Sequence, residues 1–313
     1  MKNIIFLFPG QGSQSVGMGQ DLHQEFDIAR EIFDMADELA RLNITRLCFK
    51  GPLEELTKTI NLQPAVTAVN LVCLAILEKE GINARISAGH SLGEYTALYS
   101  TKVLSKQDTL KAVFKRGQLM DREANRYKGA MAAIIGIPIK TVEECVLQAQ
   151  ETGTVAVANY NAEKQIVIAG TPEAVEQAGQ FAAEKGGRAV SLKVSGAWHS
   201  ELIRGAFEEF ESFLQEIEFN PPQGRVYQNI TADYTKDPSE IKDLMARQLC
   251  SPVRWYETIE TILAREEPEI FVEVGPGRVL TGLLKKILPK KHPAQVFNIN
   301  NLKSLEKFLN AMA

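Results

Sequence analysis

Ser91 stands at the centre of Gly89-His90-Ser91-Leu92-Gly93, a G-x-S-x-G run. In that pattern a strand turns sharply into a helix and holds a nucleophilic serine at the apex. A residue forced into a strained conformation there needs neighbours without bulky side chains, which Gly89 and Gly93 supply. A glycine-flanked structural turn would satisfy the same five positions, so the chemistry needs partners. A serine hydroxyl is nearly inert at neutral pH without a base. The chain has four histidines. His23 lies in an acidic helical region, His90 is the variable position of the run itself, and His292 sits in a Lys- and Pro-rich loop. His199 follows Val194-Ser-Gly-Ala-Trp198 at the junction of two differently patterned regions, where clefts tend to form. A Ser91–His199 pair departs from the serine, acid, late-histidine order of α/β-hydrolases. It implies a dyad whose ring is oriented by something other than a dedicated aspartate.

The elements that must position these groups are readable from patterning. Ile86 to Gly89 reads as a short buried strand, and Leu92 to Tyr99 as the start of a helix whose free amides face the serine. Asn3 to Phe8 is an apolar run of strand length leading into Pro9-Gly10-Gln11-Gly12-Ser13-Gln14. That loop is a poor dinucleotide fingerprint, because Ser15 replaces the third glycine and no second strand follows promptly. Helices are expected from Ile28 to Leu42 and from Pro64 to Lys79, the second with Pro64 in its first turn. Another spans Ser105 to Tyr127, with Ser105 as N-cap and Asp108 at capping-box spacing. Arg116 falls at the border of that helix's apolar stripe of Leu110, Val113, Phe114, Gly117 and Met120. A snorkelling surface arginine would also fit there.

From Gly129 to Ser195 the order strand, helix, strand, strand, helix, strand marks a ferredoxin-like unit. Beyond it, strands and helices alternate again, including a strand from Glu269 to Val274 that ends in Gly275-Pro276-Gly277. The fold expected is α/β: a large α/β-hydrolase-like domain with a mainly parallel sheet, residues 1–127 and 197–313, and an inserted small ferredoxin-like α+β subdomain, residues 128–196.

Composition bounds the function classes. A net charge of −4 gives no reason to expect nucleic acid. Cys48, Cys73, Cys145 and Cys250 lack C-x-x-C spacing, so neither a disulfide framework nor a metal site is suggested, and a reducing, cytoplasmic setting is expected. No signal-peptide pattern and no long uninterrupted apolar stretch suggest a membrane. No large apolar surface stripe argues against a monomer. Lys285, Lys286, Lys290 and Lys291 read as a solvated helix end, or as a contact for another protein.

Seven ordered motifs, Pro9-Gly-Gln-Gly-Ser-Gln14, Gly89-His-Ser-Leu-Gly-Glu-Tyr95, Lys115-Arg-Gly-Gln-Leu-Met120, Asn159-Tyr-Asn161, Ala197-Trp-His199, Gln248-Leu-Cys-Ser-Pro-Val253 and Glu273-Val-Gly-Pro-Gly277, resemble those of malonyl-CoA:acyl carrier protein transacylases. The resemblance implies ping-pong transfer of malonyl from malonyl-CoA, through Ser91, to the phosphopantetheine thiol carried by acyl carrier protein, with no bound cofactor. It implies His199 as general base and acid, its ring held by a backbone carbonyl near Gln248, and the amides of Gln11 and Leu92 as an oxyanion hole. Arg116 matches the arginine that pairs with the malonyl carboxylate, and a guanidinium suits that task by two parallel hydrogen bonds. Without substrate it is expected to be a poorly paired cation. Leu92 and Trp198 resemble the malonyl-type pockets of related polyketide acyltransferases, although Trp198 departs from the Phe or Ser usual there. The pathway served is fatty-acid synthesis or supply in trans to a polyketide synthase. The rival readings are an editing hydrolase acting on acyl carrier protein thioesters, which would not need Arg116, and a non-catalytic acyl-binding module.

Overall fold

The computed structural model describes residues 2–312; Met1 and Ala313, the end points of the expected large domain, lie outside the described residues. Its strands are β1 (Ile4–Phe8), β2 (Ile86–Gly89), β3 (Ala130–Ile135), β4 (Val155–Ala162), β5 (Gln165–Gly170), β6 (Arg188–Ser191), β7 (Arg225–Tyr227), β8 (Ile270–Val274) and β9 (Gln295–Ile299). Five form a sheet of order β7-β2-β1-β8-β9, parallel at every pairing. The other four form an antiparallel sheet of order β4-β5-β3-β6, the arrangement of a ferredoxin-like unit.

The uninterrupted apolar run of β1 is explained by burial on both faces. Ile4, Phe6 and Phe8 join the core on one side of the parallel sheet, and Ile5 and Leu7 the core on the other. In the antiparallel sheet, Ala132, Ile134, Ile166 and Ile168 pack against the helices Ile139–Ala149 and Pro172–Glu184. Its other face, with Met131, Ala133, Val167 and Ala169, joins the large core. The small sheet is also tied by backbone to the segment before the helix Trp255–Glu266: Val253 donates to Ala158 at 2.8 Å and Tyr160 donates back to Val253 at 2.9 Å. This lock sits beside a register shift in β4 between Val157 and Asn159.

One sequence expectation is corrected. The helix ending at Lys79 begins at Thr59, which places Pro64 inside it and not in the first turn. Thr59, Asn61 and Gln63 are polar, so the apolar pattern does not reach them, yet all three are buried. Directly after His199 the chain forms a 3-10 turn, Glu201–Ala206, that leads into an α-helix, Phe207–Gln215. Finally, β9 and the helix Leu302–Met312 were not legible, because β9 is a half-exposed edge strand lacking a continuous apolar run. The helix Thr59–Lys79 has the length and composition to cross a membrane, but 89% of its most apolar stretch is buried inside the protein.

Candidate active site

Parallel pairing brings the C-terminal ends of β1 and β2 side by side, with Phe8 opposite Gly89. The elbow is built on that edge. His90 donates its N–H to the Phe8 carbonyl at 3.0 Å, and Ser91 adopts a φ of 51° before the helix Gly93–Ser100 begins. The glycines are obligatory at this turn. A Cβ on Gly93 would lie 1.9 Å from the Phe8 oxygen, and one on Gly89 would lie 2.0 Å from the Gly93 carbonyl carbon.

Ser91 Oγ lies 2.7 Å from His199 Nε2, across 108 residues of sequence. His199 Nδ1 donates to two carbonyls, Gln248 at 2.9 Å and Ser251 at 3.0 Å. These bonds keep the proton on Nδ1 and leave Nε2 free to accept from serine. Burial, reinforced by the nearby Arg116 charge, pushes His199 down to about 3, so the ring is neutral around pH 7. Like Ser91, His199 has a positive φ, of 60°. Both members of the pair therefore sit in backbone conformations that cost energy and are held by their surroundings.

Arg116 is only 1% exposed, which removes the snorkelling reading. The expectation of a poorly paired cation is corrected in part. Its Nη1 donates to Gln63 Oε1 at 2.8 Å, and its Nη2 to Gln248 Oε1 and Ser91 Oγ, both at 3.1 Å. These partners are neutral, and no carboxylate forms a salt bridge with it among the described residues. Burial lowers its proton affinity, with Tyr95 and Glu94 acting against that. A buried guanidinium held by neutral acceptors is prepared for an anion.

Gln11 and Trp198 line the cavity that holds Ser91 and His199, and Leu92 is buried directly after Ser91 in the elbow. The loop after β1 lies against the elbow, since a Cβ on Gly10 would stand 2.5 Å from the His90 oxygen. Neither the Gln11 nor the Leu92 amide donates to another backbone group among the described residues outside regular helices and strands. Gln11, Gln63, His90, Ser91, Arg116, Met131, Trp198 and His199 line one cavity of about 90 Å³. Such a volume is far below the ~300 Å³ lower end of drug-sized pockets, so the recess suits a short acyl group. A hollow of about 520 Å³ around Lys2, Glu267 and His292 is larger but contains no serine, threonine or cysteine.

The sequence reading missed the polar scaffold behind this cavity. Besides its carbonyl, Gln248 uses Nε2 to donate to the Ser91 carbonyl at 3.0 Å and to Glu94 Oε2 at 2.5 Å. Glu94 is buried and pushed up to about 8 by desolvation, against the pull of Gln248, Asn229 and Arg116. His90 Nε2 donates to Asn161 Oδ1 at 2.7 Å, linking the elbow to β4. The one available signal was a buried-pattern helix, Thr59–Lys79, that contains Gln63 and Asn70 among apolar residues.

The family model described as acyl transferase domain matches residues 5–307. The chain is 41% identical over 92% of its length to the malonyl CoA-acyl carrier protein transacylase of Bacillus subtilis strain 168, covering 91% of that protein. It is 37% identical over 92% of its length to the protein of the same name from Escherichia coli K12, covering 94% of it. Among solved structures, an acyl carrier protein S-malonyltransferase from Vibrio cholerae superposes with a TM-score of 0.92 at 38% identity, with 98% of this chain and 100% of that one covered. A malonyl-transacylase in complex with its type II PKS acyl-carrier protein gives a TM-score of 0.94 at 35% identity, covering 99% and 100%.

Proposed function

This chain belongs to the acyl transferase domain family, and from that membership we propose that it transfers malonyl from malonyl-CoA to the phosphopantetheine thiol of an acyl carrier protein. The acceptor serves fatty-acid synthesis or supplies a polyketide synthase in trans. The observation that carries the acyl specificity is Arg116, a buried cation with only neutral partners, 3.1 Å from the nucleophile.

Ser91 Oγ attacks the thioester carbonyl while its proton passes to His199 Nε2. The negative charge that develops on the carbonyl oxygen is received by the Gln11 and Leu92 amides, a stabilisation on the order of 3 kcal/mol per donor. The C–S bond then breaks, and the departing CoA sulfur takes the proton from His199. In the second half the carrier thiol gives its proton to His199 and attacks the malonyl ester. Ser91 leaves, recovering the proton.

The base is weakened by burial and by Arg116, so imidazolium formation is costly in the empty site. A malonyl carboxylate paired with Arg116 offsets that charge, and a donor without a carboxylate does not. Trp198 forms part of the wall beside the acyl group, together with Met131 from β3 and Leu192 and Val194 from the segment that follows β6. Within this reading residues 1–127 and 197–313 carry the catalytic groups, and residues 128–196 close the acyl recess. No cofactor is required. A monomer in the cytoplasm, where CoA thioesters are available, completes the proposal.

Intact-mass measurement tests it. Incubation with malonyl-CoA should give a malonyl adduct on Ser91, absent in Ser91→Ala, which moves to holo-acyl carrier protein on mixing. Failure to form the adduct sinks the reading, and release of free malonate as the main product assigns a hydrolase instead.

A further inference from the structure

We propose that Asn229 is a positioning residue that holds the nucleophile elbow in its strained conformation. Parallel pairing sets Ala88 of β2 beside Tyr227 of β7, so the chain two residues beyond Tyr227 runs alongside the elbow. There the Asn229 carboxamide spans the turn. Its Oδ1 accepts from the Ser91 N–H at 2.7 Å, and its Nδ2 donates to the Gly89 carbonyl at 2.7 Å. It thereby fixes the backbone on both sides of His90, where Ser91 holds its φ of 51°.

Asn229 is itself held at both ends of its backbone. Its N–H donates to Glu94 Oε1 at 3.2 Å, and its carbonyl accepts from the Arg254 N–H at 3.0 Å. It is buried, so water cannot replace either side-chain bond in place. A non-glycine residue at positive φ costs on the order of 1–3 kcal/mol and persists only where its surroundings over-determine it. No other side chain among the described residues bonds the Ser91 amide. Releasing it lets Oγ drift from His199 Nε2, and a displacement of about 1 Å can cost on the order of 100-fold in rate.

This inference rests on the acyl-transfer reading only through the second of two readouts. The first is the rate at which a serine-directed fluorophosphonate labels Ser91. The second is malonyl transfer from malonyl-CoA. Asn229→Ala should label about 10- to 100-fold more slowly than the parent. Asn229→Asp is the discriminating variant. Ionised, it faces the Gly89 carbonyl with an oxygen; protonated, it donates there and restores the bonding pattern. The groups facing position 229 are the Glu94 carboxyl, His90 in the elbow, and the Arg254 side chain, which donates to the neighbouring Ile230 carbonyl. Burial favours the protonated aspartic acid, Glu94 adds to this only near pH 8, where its own carboxyl ionises, and Arg254 opposes. The Asn229→Asp labelling rate relative to the parent should therefore rise about 10-fold from about pH 8 to about pH 5. A parent-like rate in Asn229→Ala, or a pH-independent ratio in Asn229→Asp, overturns the proposal; the second variant decides if the first does not fold. A parent enzyme that labels at Ser91 but takes no malonyl refutes the functional reading and leaves this one standing.

Discussion

Arg116 Nη2 stands 3.1 Å from Ser91 Oγ, so the cation proposed to pair with the malonyl carboxylate also touches the proposed nucleophile. Ser91 Oγ accepts from Arg116 while donating to His199 Nε2, 2.7 Å away. Recognition and reactivity are thus coupled through one oxygen. A carboxylate that draws the guanidinium toward itself relieves both the serine and the base of its influence.

Arg116→Ala should lower kcat/KM for malonyl-CoA by about 10- to 100-fold, the loss of a charge-assisted pair worth roughly 1.5–3 kcal/mol. Turnover of acetyl-CoA, which has no carboxylate to pair, should change less, so the preference between the two donors narrows. Arg116→Lys should not restore it, because a point charge cannot reproduce the planar fork. Steady-state assays with both donors decide; an undiminished malonyl preference would place recognition elsewhere.

Gln63 Oε1 accepts from Arg116 Nη1 at 2.8 Å. Gln63→Leu removes one of two amides that orient the guanidinium and leaves Nη1 without its acceptor. A loss of about 1 kcal/mol, or roughly fivefold in kcat/KM, is expected with malonyl-CoA. The acetyl-CoA rate should change much less. Equal losses with both donors would show that Gln63 acts on something other than Arg116.

The depressed His199 titration predicts a pH-dependent stability. In the unfolded chain the ring takes up a proton near its ordinary value of 6.5, whereas the folded ring stays neutral down to about 3. Between those values the unfolded state binds more protons, so stability falls as pH falls and is regained as pH rises. The slope attributable to this one group approaches about 1.4 kcal/mol per pH unit well inside the window. Urea denaturation of the parent and of His199→Gln at about pH 7 and pH 5 isolates it, since other titrations cancel in the difference. The parent should lose more stability than the variant on acidification. Parallel losses would mean that His199 is not buried as a neutral ring.

Gly93→Ala should not yield folded protein, because its methyl would meet the Phe8 carbonyl oxygen at 1.9 Å, backbone against backbone. Gly12→Ala is the useful contrast. No atom lies within 4 Å of a Cβ there, and only its φ of +99° is unfavourable, a cost of about 1–3 kcal/mol. Soluble yield and thermal denaturation separate the two. A folded, active Gly93→Ala enzyme would contradict the close approach of the elbow to β1.

What the sequence could determine was whatever short-range physics dictates. The apolar run of β1, the Ser105 cap bonded to the Asp108 amide, and the glycines that permit a strained serine each leave a local trace. Ser91 and His199 could be named because their residue types suit a nucleophile and a base, and Arg116 because its motif resembles that of the transacylases. Their convergence was decided by the tertiary structure. So were the parts played by Gln63, Asn229, Ser251 and the Gln248 side chain, none of which lies near Ser91 in the chain. Parallel strand register carries Asn229 to the elbow across 138 residues, and the turn after the helix Pro238–Arg247 brings Gln248 to Ser91 across 157. A buried amide leaves no periodic signature, because its meaning lies in the groups it bonds, and those are chosen by packing.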